Sequence, residues 1–185
     1  MRLRQEDLNL KRVALFVAGV ACALALVWAA GGFQPCACLS GSAYAVFSPD
    51  AGDALLPVLY SAQETLDVEL YQFSNPDFKD ALVSAAARGV RVRVILEPRV
   101  DSNYETAQFL AERGVKVRWA TLDYTNTHSK YAVVDNAIVI VGSANWSKQA
   151  MNSNREADVV ITDERIAAEF TDAFETDWNA GSVAS

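Results

Sequence analysis

The sequence holds a single histidine, His128, in 185 residues, so chemistry that needs an imidazole has one address per chain. Cysteine is scarce too. Cys22, Cys36 and Cys38 all precede residue 43, so no disulfide can staple the remainder of the chain, and Cys36-Ala37-Cys38 is too close for an easy mutual bridge. A metal site would need more ligands than that pair supplies, and no cofactor is implied. The residues before Cys36, Phe33-Gln34-Pro35, do not form a bacterial lipobox. Internal repeats and low-complexity runs are missing, and the length suits one sizeable domain, too short for two. Positive charge is short as well. The chain carries a net −7, but residues 1–42 hold four basic and two acidic side chains, leaving twelve basic against twenty-one acidic in the remainder. A domain of net −9 gains no general attraction to nucleic acid or anionic lipid.

What is abundant is an apolar run at the start. Val13 to Ala30 carries no charge and follows Lys11-Arg12. Eighteen such residues reach the lower edge of what spans a bilayer, about 17–25, and Gly31-Gly32-Phe33 can extend them. The basic flank predicts an N-terminus in the cytoplasm and the following domain outside it. Ala43-Tyr44-Ala45 offers a rival signal-peptide cleavage pattern, but it lies well beyond the apolar run, which favours an uncleaved anchor. Residues 1–33 are thus read as a transmembrane or signal helix, 34–42 as a linker, and 43–185 as the domain.

That domain alternates between strand and helix patterns, the signature of an α/β fold with a mixed sheet covered by helices. Tyr44–Phe47 reads as a strand, and Ser48-Pro49-Asp50 opens a helix running to about Gln63. Leu66–Phe73 reads as the next strand. Asn75 before Pro76 predicts a capped helix that Gly89 ends. Val90, Val92 and Val94 then alternate with Arg91 and Arg93, predicting a strand with one basic face. A helix around Tyr104–Arg113 closes at Gly114, a strand follows at Val115–Trp119, and Glu164 to Trp178 has helical apolar spacing.

His128 opens the segment with chemical character. Val133 to Val141 is a hairpin candidate with Asp135-Asn136 as a two-residue turn. That register sets Val134 opposite Ala137, Lys130 opposite Val141 and His128 opposite Ser143, and Asn145 follows two positions on along the same face. An imidazole, an ammonium, a hydroxyl and an amide would then surround one spot, the groups needed to hold a phosphate and attack it. His128 is the candidate nucleophile, and its other ring nitrogen needs an acceptor, for which Glu156 is the candidate. Lys130 and Asn145 would neutralise and orient the phosphate oxygens, with Ser143 assisting. Positive charge must then be local. Lys148, Arg155, Arg91, Arg93 and Arg99 are candidates for it, although solvated surface charge is the ordinary role of each. Trp146 and Tyr124 are weighed between groove and packing roles, with packing preferred.

His128-Ser129-Lys130 followed by Asp135, then Gly142-Ser143-Ala144-Asn145, resembles the HxKxxxxD signature of the phospholipase D superfamily and its downstream G-S-x-N element. Asn154-Arg155-Glu156 matches the later acidic residue of that family, and Tyr71-Gln72-Phe73-Ser74 its aromatic-x-Phe-Ser strand end. A lone histidine on a strand is usually structural, but the joint spacing of these motifs in order outweighs that. The resemblance covers nearly all of residues 43–185. It implies a phospholipase D-like mixed β-sheet with helices on both faces, and a phosphodiesterase working through a phosphohistidine intermediate. It gives Asp135 and Gly142 structural parts. The family pairs two copies of the motif, one supplying the proton for the leaving oxygen. This chain has one, so a homodimer with the active site at its interface is expected. Three functions compete: an endonuclease on DNA or RNA, as in small one-motif exported nucleases of the family; a phospholipase D or cardiolipin hydrolase acting on membrane phospholipid; and a non-catalytic module binding phosphorylated ligands. The first is preferred.

Overall fold

The computed structural model describes residues 41–184. The expected anchor at 1–33 and the three cysteines lie outside the described residues. Among those described, no helix is long and apolar enough to cross a membrane.

The elements are β1 (Ser42–Phe47), α1 (Ala51–Tyr60), β2 (Thr65–Leu70), α2 (Pro76–Ala87), β3 (Arg91–Leu96), α3 (Ser102–Ala111), β4 (Lys116–Trp119), β5 (Lys130–Val134), β6 (Ile138–Gly142), α4 (Lys148–Asn152), β7 (Ala157–Thr162), α5 (Glu164–Ala180) and β8 (Ser182–Val183). Eight strands form one mixed sheet in the order β1-β7-β6-β5-β2-β3-β4-β8. β2, β3 and β4 run parallel, and the other neighbours are antiparallel. Helices cover both faces. Leu55 and Leu59 of α1, Phe78 and Leu82 of α2, Leu110 of α3 and Met151 of α4 pack with Leu66, Val68, Val94 and Ile140 on one side. On the other, Ala167 and Phe174 of α5 close over Ile95, Tyr131, Val133 and Val139.

Local signals explain several boundaries. Asn75 Oδ1 accepts the Asp77 N–H at 3.0 Å, Pro76 fills the first helical position, and Gly89 leaves α2 at φ 93°. Asp163 caps α5 by accepting from Arg165 and Ile166 N–H at 2.9 and 3.2 Å. Other expectations need correction. The strand expected to reach Phe73 stops at Leu70. The Asn103 amide takes the next polar groups instead, donating to the Tyr71 carbonyl and accepting from the Phe73 N–H, both at 2.9 Å. Strand β7, inserted between β1 and β6, has no counterpart among the strands expected from alternation. The basic face of β3 is not one: Arg93 is buried, binds Asp67 through Nε and Nη2 at 2.7 and 2.9 Å, and reaches Glu175 of α5 at 2.7 Å.

The β5–β6 hairpin also departs from the expected register. Asp135 and Asn136 do form the turn, at φ 51° and 49°, and the Ala137 N–H closes it on the Val134 carbonyl at 3.0 Å. But Val134 pairs with Ile138 and Tyr131 with Val141. Ala137 is left over as a third turn residue, its carbonyl accepting instead from Asp163 N–H at 3.1 Å. A slip of one residue moves side chains to the other face. Lys130 therefore falls in register with Ala132 and Val134, away from the face that carries Tyr131 and Val141.

Asp135 ties the hairpin to β2. Its carboxylate accepts the backbone N–H groups of Gln63, Glu64 and Thr65 at 2.9, 2.8 and 2.9 Å, and its own N–H donates to the Thr65 carbonyl at 2.9 Å. Partial burial alone would raise its pKa, but the three N–H donors outweigh burial and hold it below the usual carboxylate range. A depressed folded pKa contributes stability that is complete above the unfolded value and is lost as pH falls through the folded one. Asp135→Asn should therefore cost about 1–2 kcal/mol at neutral pH, and urea denaturation should show the gap to wild type closing as pH drops below about 4.

Candidate active site

One end of the sheet gathers the motif residues. There β2, β3 and β6 finish at Leu70, Leu96 and Gly142, while β5 and β7 begin at Lys130 and Ala157. The carboxyl ends of parallel strands are the usual place for a site in such sheets.

His128 does not lie on a strand. It is exposed, in the loop leading into β5. Lys130 joins it by folding back, its Nζ donating to the His128 carbonyl at 2.8 Å and lying 3.0 Å from Nδ1. An ammonium can only donate, so that contact makes Nδ1 the acceptor and leaves the ring hydrogen on Nε2. The Tyr71 ring supports both groups, with its centroid 4.3 Å from the imidazole and 5.2 Å from Lys130 Nζ. Burial lowers the Lys130 pKa, and the Glu156 carboxylate partly restores it.

Glu156 was expected to meet the imidazole. Among the described residues no hydrogen bond joins them. Its carboxylate instead accepts from Ser143 Oγ at 2.6 Å and Asn154 Nδ2 at 2.8 Å. Those bonds, with a smaller contribution from Lys130, hold it below the usual carboxylate range. Ser143 Oγ in turn accepts the Ala157 N–H at 3.1 Å. His128, Lys130, Ser143 and Glu156 thus form one chain of contacts and charge. Asn145 follows, lining a groove shared with Gln72 and Asn154; its Oδ1 is buried without a partner, and among the described residues no hydrogen bond links it to His128.

Gly142 is forced by its neighbour. A Cβ there would collide with Asp158 Oδ1 and with the Asp158 backbone. Asp158, buried at the start of β7, accepts the Ala144 N–H at 3.1 Å and so braces the Gly142–Asn145 turn. Burial raises its pKa. Trp146 is core, edge-on to Phe73 at 5.3 Å and tilted on Phe78 at 4.9 Å. Tyr124 is half exposed on the His128 loop.

Sequence reasoning missed Glu97. This carboxylate is fully buried at the end of β3. It accepts the Thr127 N–H at 2.7 Å, the Arg99 N–H at 3.0 Å and Arg99 Nη1 at 2.8 Å. Burial alone would raise its pKa, yet the Thr127 and Arg99 donors win and lower it. Arg99 Nη2 then donates to the carbonyls of Leu122 and Tyr124. One buried charge therefore anchors the loop from Leu122 to Thr127, immediately before His128. Arg99 is two residues away but Thr127 is thirty, so the local sequence does not show that this carboxylate reaches the loop before His128. Of the proposed basic patch, Arg93 and Arg99 are committed to internal carboxylates, while Arg155 covers Phe47 at 5.0 Å and donates to the Ser48 carbonyl.

A family model described as cardiolipin synthase, PLD-like domain, matches residues 55–178. The chain belongs to the phospholipase D superfamily. Mitochondrial cardiolipin hydrolase of dog is 32% identical over 181 residues, spanning 96% of this chain and 70% of that protein. Its Xenopus tropicalis counterpart is 33% identical over 193 residues, spanning 100% and 84%. The structure of Nuc, a phospholipase D family member from Salmonella typhimurium, superposes with a TM-score of 0.74 at 29% identity, covering 78% of this chain and 98% of that one. NucT from Helicobacter pylori shares the fold at a TM-score of 0.72 and 24% identity. The chain is a phosphoric diester hydrolase.

Breaking a buried charge network is costly, about 3–5 kcal/mol when one partner is lost outright. A small displacement of a reacting group costs up to about a hundredfold in rate. Glu97→Gln, which keeps shape but not charge, should lower kcat on a minimal diester about ten- to hundredfold with KM little changed. Steady-state kinetics with urea denaturation at the same pH would check both effects.

Proposed function

We propose that this phosphodiesterase cleaves single nucleic acid strands through a phosphohistidine formed on His128. The observation that carries the chemistry is the Lys130 ammonium set against the imidazole at 3.0 Å, beside the Ser143–Glu156 pair. An incoming phosphodiester offers Lys130 a better acceptor than a neutral ring. As Lys130 turns to the non-bridging oxygens, the imidazole lone pair is freed to bond to phosphorus while the bond to the leaving oxygen breaks. Ser143, polarised by Glu156, and Asn145 orient the phosphoryl group. The leaving oxygen needs a proton that the attacking ring cannot give. The histidine of a second copy, in its imidazolium form, supplies it and, then neutral, takes a proton from the water that breaks the phosphorus–nitrogen bond. The working unit is therefore a homodimer with its two motifs facing. Residues 1–33 would hold the catalytic domain at a membrane outside the cytoplasm, or release it if cleaved.

A phospholipid substrate is the second reading, favoured by Leu122 and Tyr124, 67% and 51% exposed on the His128 loop, and by the names of the cardiolipin hydrolase relatives. Single-stranded DNA, RNA, phosphatidylcholine and cardiolipin assayed side by side in EDTA separate the two. Cleavage of a single strand is expected, and hydrolysis confined to lipid would reject the nuclease reading. His128→Ala should lower turnover at least about a thousandfold, and acid-sensitive phosphate should be trapped on the wild-type ring alone. Sedimentation should give twice the chain mass.

A further inference from the structure

The Asn145 groove has a volume of about 440 Å³, within the range of small-molecule sites, about 300–1,000 Å³. We propose that it is a nucleobase subsite that reads the hydrogen-bonding edge of one unpaired base next to the scissile phosphate. This inference rests on the nuclease reading and deepens it.

The lining is polar almost throughout: Gln72, Ser74, Asn145, Ser147, Lys148 and Gln149 contribute, with Ala150 as the apolar member among the described residues. The groove joins the reacting groups at two points. Asn145 belongs to the phosphate-orienting set, and Asn154, also on the wall, donates to Glu156 at 2.8 Å. Its walls are held in place by backbone bonds. Trp146 N–H donates to the Gln72 carbonyl at 3.1 Å, and the Trp146 carbonyl accepts from Ser74 and Asn75 N–H at 2.8 and 2.9 Å. Ser147 Oγ accepts from the Ala150 N–H at 3.1 Å. Yet the side-chain amides of Gln72 and Gln149 and the Lys148 ammonium make no hydrogen bond or ion pair among the described residues. A concavity thus offers two amides and a cation that the described residues leave unused.

An acyl chain would bury these groups without compensation, which is unfavourable. A bare phosphate would satisfy Lys148 but not the amides. A base presents donors and acceptors together, the pattern a glutamine amide matches. No aromatic ring lines the groove among the described residues, so the base is read by its edge and not by stacking. An edge is available only in a single strand. Lys148 then meets the neighbouring phosphate.

The test compares wild type with Gln72→Ala/Gln149→Ala on single-stranded homopolymers of each base and on bis(p-nitrophenyl) phosphate, a diester without a base. Wild type should rank the four bases. The double variant should flatten that ranking and raise KM for the preferred homopolymer about tenfold, with kcat/KM on the small diester within about twofold. Should the variant keep wild-type KM and ranking while wild type cleaves single strands, the subsite is wrong and the nuclease reading stands. If wild type cleaves lipid and no strand, that reading falls and the subsite with it. If the double variant loses its fold by circular dichroism, Gln149→Glu, on the exposed side of α4, decides: a changed ranking supports the subsite and an unchanged one overturns it.

Discussion

Glu97 sits beneath the loop that leads to His128 with no exposed surface, and its charge is met by N–H groups of Thr127 and Arg99. A buried carboxylate cannot stay ionised without such donors, so the loop and the charge hold each other in place. The backbone entering His128 is fixed at Thr127 on one side. On the other, the Ser129 carbonyl accepts from the Tyr71 N–H at 2.8 Å. Tyr71 is in turn fixed by Asn103, whose amide also donates to the Glu97 carbonyl at 2.9 Å. An exposed histidine in a loop is thereby held as firmly as one on a strand.

The gathering of the motif residues was legible because it is local in sequence: His128, Lys130, Asp135 and the Gly142–Asn145 turn are spaced along one hairpin. The α/β architecture and most helix ends were legible for similar reasons, through Asn75, Pro76 and Gly89. The hairpin register was not. Its extra turn residue depends on Asp163 reaching the Ala137 carbonyl, an interaction with no trace in the Asp135-Asn136 dipeptide. The convergence of His128 and Lys130 was expected from strand alternation and arises instead from a lysine folding back along its own loop. Arg93 was misread for a related reason. Alternation assigns a side chain to a face but says nothing of Glu175 arriving on a helix eighty residues later.

Charge is used sparingly throughout. The domain is acidic overall, so its net charge does not draw polyanions at long range, and two of its arginines are spent on internal carboxylates. Asp158 and Gly142 illustrate the same tight placement: the turn bearing Ser143 is braced by a carboxylate that leaves no room for a side chain opposite it.

The contact between Lys130 and Nδ1 has a consequence for the protein between turnovers. A ring whose lone pair is occupied is a poor partner for stray electrophiles. While that contact lasts the imidazole is capped, and an anion that drew the ammonium aside would expose the lone pair. Such a cap shields the one imidazole in the sequence from stray modification.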